Sequence, residues 1–250
     1  MQTTGNRIIE VHGLISVMSN TIILSDVNFH IDEGEIAMII GGSGSGKTTV
    51  LKHLLGLYGS HDSSVMVLGE NPSLLEEREQ KAFYKKIGVM YQEGALLKSM
   101  TVGENVGLPL EQHTNLSPDF IEEVVRLKLQ MVKLEQAYDK YPSQLSGGML
   151  KRVALARAIV MDPPILFCDE PGSGLDPITL SSLDELIINL KEQLGMTVVM
   201  VTHDVSSVLR MANRIVFLDQ GISIFEGSVE DALASDNAII RDFFARGKGE

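Results

Sequence analysis

The segment MIIGGSGSGKTTV, residues 38–50, narrows what this chain can fold into more than any other. Glycine is costly to order, and a run of it ordinarily marks a flexible linker. The flanks exclude one. Residues 35–40 (EIAMII) read as a short, fully buried strand, and residues 48–58 place Val50, Leu51, Leu54 and Leu55 on one helical face. The glycines therefore join a core strand to a core helix.

The eight residues Gly41, Gly42, Ser43, Gly44, Ser45, Gly46, Lys47 and Thr48 match the phosphate-loop pattern G-x-x-x-x-G-K-S/T at every fixed position. The chemistry requires this composition. Backbone N–H groups must converge on phosphate oxygens, and glycine keeps side chains out of their way. The helix that follows presents unpaired N–H groups and the positive end of its dipole, with Thr49 in its first turn. Lys47 supplies a point charge for the β- and γ-phosphates, and the Thr48 hydroxyl is a ligand for Mg²⁺.

The rest of the chain suits such a site. It has 250 residues, 44% of them hydrophobic, enough for one large core. A net charge of −12 excludes non-specific nucleic-acid binding as the main activity. The single cysteine, Cys168, cannot form an internal disulfide and fits a reducing compartment. The first residues, MQTTGNRIIEVHG, lack the pattern of a secretion signal. Apolar runs such as MTVVMV (196–201) are strand-sized, far below the ~18 residues of a membrane span. The chain is expected to be soluble, or held at a membrane through a partner. No internal repeat or low-complexity tract is present.

Strand and helix signals alternate. Residues 7–40 read as β-rich, with a turn at Asp32-Glu33-Gly34. A further strand covers 65–68, a charged helix 73–86, and a strand 87–91 that ends at Gln92. Ser117 and Pro118 open a helix expected to reach residue 136, and another runs from about 147 to 161. Residues 96–160 thus read as a helical insertion. Strand 165–168 leads into Asp169 and Glu170. An amphipathic helix over 178–194, with Leu183, Leu186, Leu190 and Leu194 on one stripe, stops at Gly195. Strand 197–201 leads to His203, and 214–224 forms a hairpin about Gln220-Gly221. The alternation predicts an α/β fold with a mostly parallel sheet.

The segment ILFCDE (165–170) is an apolar strand ending in two carboxylates. Beside a phosphate loop, Asp169 would hold Mg²⁺ through water, and Glu170 would orient or deprotonate the attacking water.

With LSGGM (145–149) added, the chain resembles the ATP-binding cassette (ABC) ATPases. In order it carries the phosphate loop, Gln92 at a strand end, the signature Leu145-Ser146-Gly147-Gly148-Met149, the pair Asp169-Glu170, the turn GSGLD (172–176) and THD with His203. The resemblance covers residues 8–228. It implies a RecA-like mixed-sheet core of P-loop NTPase type over 1–95 and 160–230, with an antiparallel β part. A helical subdomain would occupy 96–159 and a helical tail 231–250. It also implies roles. The N–H groups of Ser146, Gly147 and Gly148 would face the γ-phosphate of ATP bound by a second copy, in a head-to-tail dimer. Gln92 would join Mg²⁺ and the attacking water and move with the insertion. His203 would contact the γ-phosphate, and Asp176 would couple the two sites. ATP and Mg²⁺ are the implied cofactors. A membrane permease is the implied partner, placing the chain at the cytoplasmic face of the inner membrane. Arg152 and Arg157 are expected to face solvent or local carboxylates, and Met90, Met149 and Met161 to pack.

The stretches YQEGALLKSMTVGENVGLPLEQHTNL (91–116), LSGGM (145–149) with KRVALARAI (151–159) and then DEPGSGLDPIT (169–179), and ASDNAIIRDFFARG (234–247) resemble more closely the ATPases of Mla-type phospholipid transport, which work with MCE-domain proteins. Two positions depart from the wider family. Met149 stands where glutamine is usual, and residues 14–18 (LISVM) carry no aromatic where one usually stacks on adenine, leaving Val17 or Met18 to cover the base. Other transport cargo, such as amino acids or lipoproteins, remains an alternative. So do a soluble role in iron–sulfur cluster assembly and a nucleotide sensor with little turnover.

Overall fold

The computed structural model describes residues 6–60 and 64–246. The first five residues of the N-terminal stretch and Gly247 of the C-terminal one lie outside them. In chain order the elements are β1 (Arg7–Met18), β2 (Thr21–Asp32), β3 (Ile36–Gly41), α1 (Lys47–Leu54), β4 (Val65–Val67) and α2 (Glu77–Tyr84). Next come β5 (Ile87–Met90), α3 (Val102–His113), α4 (Pro118–Met131), α5 (Gly147–Ala158), β6 (Ile165–Asp169) and α6 (Pro177–Leu194). The last are β7 (Thr197–Val201), α7 (Val205–Met211), β8 (Arg214–Asp219), β9 (Ile222–Gly227), α8 (Val229–Leu233) and α9 (Ala238–Arg246). The chain forms two compact units, one from the described residues up to Phe83 and from Thr197 onward, the other spanning Tyr84–Met196.

In the first unit the strands run in the order β4-β1-β2-β9-β8-β3-β7. Strands β4, β1 and β2 are antiparallel neighbours, whereas β3 pairs in parallel with both β8 and β7. A single parallel pair, Asp26↔Ile222, joins β2 to β9. Strand β3 is buried at all six positions, as an apolar run in a parallel sheet should be. The β8–β9 hairpin turns at Gln220 and Gly221, both at positive φ (45° and 81°), matching the twist of the strands it joins. Arg214 opens β8 with a two-pronged ion pair to Glu35 (2.7 and 3.0 Å) and contacts to Asp32 and Glu226 (3.1 Å each).

In the second unit β5 and β6 are parallel, with Met90 opposite Cys168. Helix α3 packs on α4 and α5, and α5 on α6. Helix α3 was not individually anticipated, because Pro109 and two glycines blur its pattern. Both glycines have packing reasons: a Cβ on Gly103 would lie 2.6 Å from the Tyr138 ring, and one on Gly107 would press Val125 and Ile121 of α4. Thr101 starts the helix with a capping box to Glu104.

Several helices stop earlier than their patterns predict. The one read over 48–58 ends at Leu54, where Gly56 (φ 70°) and Leu57 bond back to His53 and Lys52 in a Schellman closure. The one expected to reach 136 ends at Met131 with the same bonds, from Lys133 and Leu134 to Gln130 and Leu129. There Lys133 takes the left-handed position (φ 60°) usually held by glycine, so no sequence signal marks the stop. The helix read over 73–86 is confined to Glu77–Tyr84, and that over 147–161 ends at Ala158.

Candidate functional site

In the first unit β3 delivers the chain to the phosphate loop at Gly41. A Cβ there would sit 2.1 Å from the Leu218 carbonyl oxygen of β8, so only glycine lets the loop leave the sheet at this point. Gly46, at φ 102°, precedes α1; a Cβ on it would strike Leu24 of β2 at 2.5 Å. Helix α1 has neither a side-chain cap at its N-terminus nor an acidic residue in its first turn. Its first N–H groups and dipole are thus left for an anion. The Lys47 ammonium bends back onto the carbonyl oxygens of Gly41 (2.9 Å) and Gly42 (2.8 Å). Ser45 is buried, and its Oγ has no hydrogen-bond partner. Gly42, Ser43, Gly44 and Thr48 are exposed, and Thr49 is half-buried.

Strand β7 neighbours β3 in parallel, with Ile39 opposite Val201. His203, exposed, and the phosphate loop therefore leave the same end of the sheet. The Thr202 N–H extends the ladder to Ile39 (3.3 Å). Asp204 caps α7 through the Ser207 N–H (2.8 Å) and takes the Ser206 hydroxyl (2.6 Å). Burial raises the Asp204 pKa, but these hydrogen bonds outweigh it and hold the carboxyl below its ordinary value.

In the second unit Gln92 and Glu170 stand two residues beyond the paired Met90 and Cys168, at matching places past neighbouring strands. The Gln92 amide donates to the Ser173 hydroxyl (3.3 Å), and the Ser173 N–H donates to the Glu170 carbonyl (3.1 Å). Glu170 itself has φ 46°. A left-handed glutamate costs roughly 1–2 kcal/mol, a strain that tends to be kept where a carboxylate must be aimed. Asp169 ends β6 and is half-buried. Cys168 is fully buried, which pushes its thiol up to about 12.

Ser146 caps α5 by accepting the Met149 N–H (3.4 Å), leaving the exposed Gly147 at the helix start. A Cβ on Gly148 would come within 2.7 Å of the Thr179 methyl. Asp176 caps α6 through the N–H groups of Ile178 (3.1 Å) and Thr179 (3.0 Å) and binds the Thr179 hydroxyl (2.5 Å). The Thr179 hydroxyl is the first cause of a lowered Asp176 pKa. Asp176 thus fixes Thr179, and Thr179 packs on the signature. Met90 is buried, and Leu145, Met149 and Met161 are half-buried.

Three residues of this unit were missed by the sequence reading. Arg157 does not face solvent or carboxylates; its guanidinium donates to the carbonyls of Gly94 (2.7 Å) and Ala95 (2.9 Å). Arg152 likewise reaches Val132 O (3.4 Å) and Ser182 Oγ (2.8 Å). Lys151, buried, donates to the Gln92 carbonyl. Its charge on an otherwise apolar helix face was the one available signal.

The donor set fits a magnesium nucleotide. Thr48 in the first unit, and separately Gln92 and Asp169 in the second, carry oxygen atoms of the hard kind that Mg²⁺ takes, one or two from protein with waters and phosphates filling its shell. No cluster of three or more His, Cys, Asp or Glu suited to a metal occurs among the described residues. No described helix is long and apolar enough to cross a membrane.

The family model for ABC transporters matches residues 24–173. The chain is 37% identical to a probable ribonucleotide transport ATP-binding protein of Mycobacterium leprae, over 94% of this chain and 68% of that one. It is 36% identical to the phospholipid transport ATP-binding protein MlaF of Haemophilus influenzae, over 98% of this chain and 91% of the relative. A methionine import ATP-binding protein from the same species is 37% identical, over 89% of this chain and 64% of its own length. Among solved structures, CbiO1 of Clostridium perfringens superposes with a TM-score of 0.84 at 27% identity, covering 96% of both chains. A dimeric ATP-binding cassette bound to ADP and Pi gives 0.79 at 34%, covering 88% of this chain and 98% of that one. The chain belongs to the ABC transporter family, as an ATP-binding ATPase component.

Proposed function

We propose that two copies of this chain bind ATP head to tail and drive a membrane permease that moves phospholipid between membranes with an MCE-domain protein. Residues 41–49 hold the phosphates, and Lys47 neutralises the β- and γ-oxygens. Thr48, Gln92 and Asp169 would hold Mg²⁺, which when bound would supply positive charge for the leaving diphosphate. Glu170 accepts a proton from water as its oxygen attacks the γ-phosphorus; the bond to the β-phosphate oxygen breaks, giving ADP and phosphate. His203 bonds the γ-phosphate, and Ser146, Gly147 and Gly148 of one copy close on the nucleotide of the other. Asp176 couples the two sites through Thr179. Binding of ATP performs work because it favours the closed dimer over the open one. The chain then sits at the cytoplasmic face of the inner membrane, held there by the permease.

The observation that carries the lipid reading is the match to MlaF along 91% of that protein's length, against 64% for the methionine import protein at similar identity. The stretch QEGALL after Gln92 supports it. A mild-detergent pull-down of the tagged chain from native membranes, with mass spectrometry of proteins and lipids, tests it. A permease recovered with an MCE-domain protein and phospholipid is the expected outcome. A methionine-type permease would replace the cargo, and soluble partners alone would overturn transport.

A further inference from the structure

The chain between β5 and α3 has no regular structure, yet side chains of the second unit fasten its backbone at successive points. Lys151 and Arg157 lie on α5 six residues apart, about 120° apart around its axis, and each is three residues from Ala154. The Lys151 ammonium takes the carbonyl of Gln92, and the Arg157 guanidinium takes those of Gly94 and Ala95. Gly94 (φ 74°) and Ala95 (φ 48°) are both left-handed, which turns these carbonyls onto the helix. A Cβ on Gly94 would stand 3.2 Å from that of Ala154, so the loop lies directly on α5. Further along, the fully buried Asn105 of α3 takes both the N–H (2.8 Å) and the carbonyl (3.0 Å) of Leu97.

We propose that Lys151 and Arg157 are positioning residues that join the Gln92 loop and the signature helix into one moving part, so that movement of Ser146–Gly148 resets the Gln92 amide. The inference rests on the roles proposed above for Gln92 and the signature. Helix α5 carries the signature at its first turn and grips the Gln92 loop over its next two. Any displacement of that helix must carry the loop or break three charge-assisted hydrogen bonds, leaving two cations partly buried. One helix would then report signature engagement at one nucleotide to the water-orienting amide at the other. That is a physical route to cooperativity between the two sites.

Steady-state ATP hydrolysis by the purified dimer tests this, with Lys151→Met, Lys151→Arg, Arg157→Lys and Gln92→Ala beside the wild type. Lys151→Met is expected to lower kcat about tenfold with KM for ATP within about twofold, and to remove the cooperativity. Lys151→Arg should recover most of both, because it keeps a donor for the Gln92 carbonyl. Arg157→Lys should give a smaller loss of the same kind. Wild-type kcat and cooperativity in Lys151→Met, with Gln92→Ala impaired, would overturn the tether and leave the role of Gln92 standing. An unimpaired Gln92→Ala would overturn that role instead. Should Lys151→Met fail to fold by circular dichroism, Arg157→Lys carries the same comparison; misfolding of both overturns the inference, since the contacts are then purely structural.

Discussion

The Lys47 ammonium rests 2.9 Å from the carbonyl oxygen of Gly41, the residue at which β3 gives way to the phosphate loop. Those carbonyl bonds hold the charge at the loop before any phosphate arrives, so little side-chain freedom remains to be lost on binding. Lys47→Ala is expected to weaken ATP binding by at least about tenfold, as the loss of one charge-assisted contact of 1.5–3 kcal/mol implies. Titration with a fluorescent ATP analogue checks this. Undiminished affinity would place the nucleotide elsewhere.

Glu170 combines a proposed catalytic role with a left-handed backbone. The two are separable by substitution. Glu170→Gln keeps the strain and removes the base, so hydrolysis should fall by about 10²–10⁴. The same change should trap an ATP-bound closed dimer, visible by size-exclusion chromatography with ATP and Mg²⁺. Glu170→Gly also removes the base but relieves the strain, and should be about 1 kcal/mol more stable than Glu170→Gln by thermal denaturation. Equal stabilities would mean the backbone at this position is not strained.

The signature and the GSGLD turn meet through Gly148 and Thr179. Gly148→Ala puts a methyl 2.7 Å from the Thr179 Cγ2, a clash that must turn Thr179 away from its hydrogen bond to Asp176 or displace α5 or α6. We expect about 1–3 kcal/mol of destabilisation, as overpacking costs, and lower ATPase activity. Thr179→Ser removes that methyl while keeping the hydroxyl for Asp176, so the double variant should recover most of both losses. A double-mutant cycle reads the coupling directly. Additive losses would show that the contact is not what requires glycine.

Much of this was legible in the sequence because it rests on local rules. The phosphate loop, the Ser117 cap and the Gln220-Gly221 turn each announce themselves by residue type at fixed spacing. What was not legible depends on partners distant in sequence. Gly103 and Gly107 resemble helix breakers until Tyr138 and α4 are packed against them. The Lys133 stop uses a residue with no turn preference. Lys151 and Arg157 bind backbone carbonyls, and because every residue has one, the acceptor leaves no trace in the sequence. Arg157 was therefore assigned to solvent or carboxylates, the partners that sequence does reveal.

Cys168 lies at the end of the buried run of β6, and its thiol is pushed up to about 12 by burial first and by Asp169 second. The folded chain keeps it protonated, whereas unfolding returns it to an ordinary value. Its contribution to stability is therefore complete below about pH 8.5 and is lost as pH rises from there towards 12. Iodoacetamide at pH 8 should label the unfolded chain and spare the folded one, with labelling rising only in denaturant. Ready labelling of the native protein would mean that β6 opens locally.

The β1–β2 hairpin offers an aliphatic surface where relatives of this family commonly present an aromatic ring to adenine. Val17 pairs with Ile22, and Ile15, Val17 and Ile22 are 55%, 58% and 64% exposed, whereas Ser16 is buried. Two residues beyond Ile22, Leu24 packs against the Gly46 position of the phosphate loop, which puts this hairpin next to the loop proposed to hold the phosphates. Aliphatic side chains cover a base by burial alone, which is indifferent to whether the base is adenine or guanine. Val17→Tyr adds a ring face, and such contacts contribute about 0.5–1.5 kcal/mol beyond their area. The variant should therefore bind ATP roughly 2–12-fold more tightly, with kcat changed little. The wild type should show comparable KM values for ATP and GTP. Competition between the two nucleotides in the ATPase assay separates the cases, and a wild type that strongly prefers ATP would mean that another element reads the base.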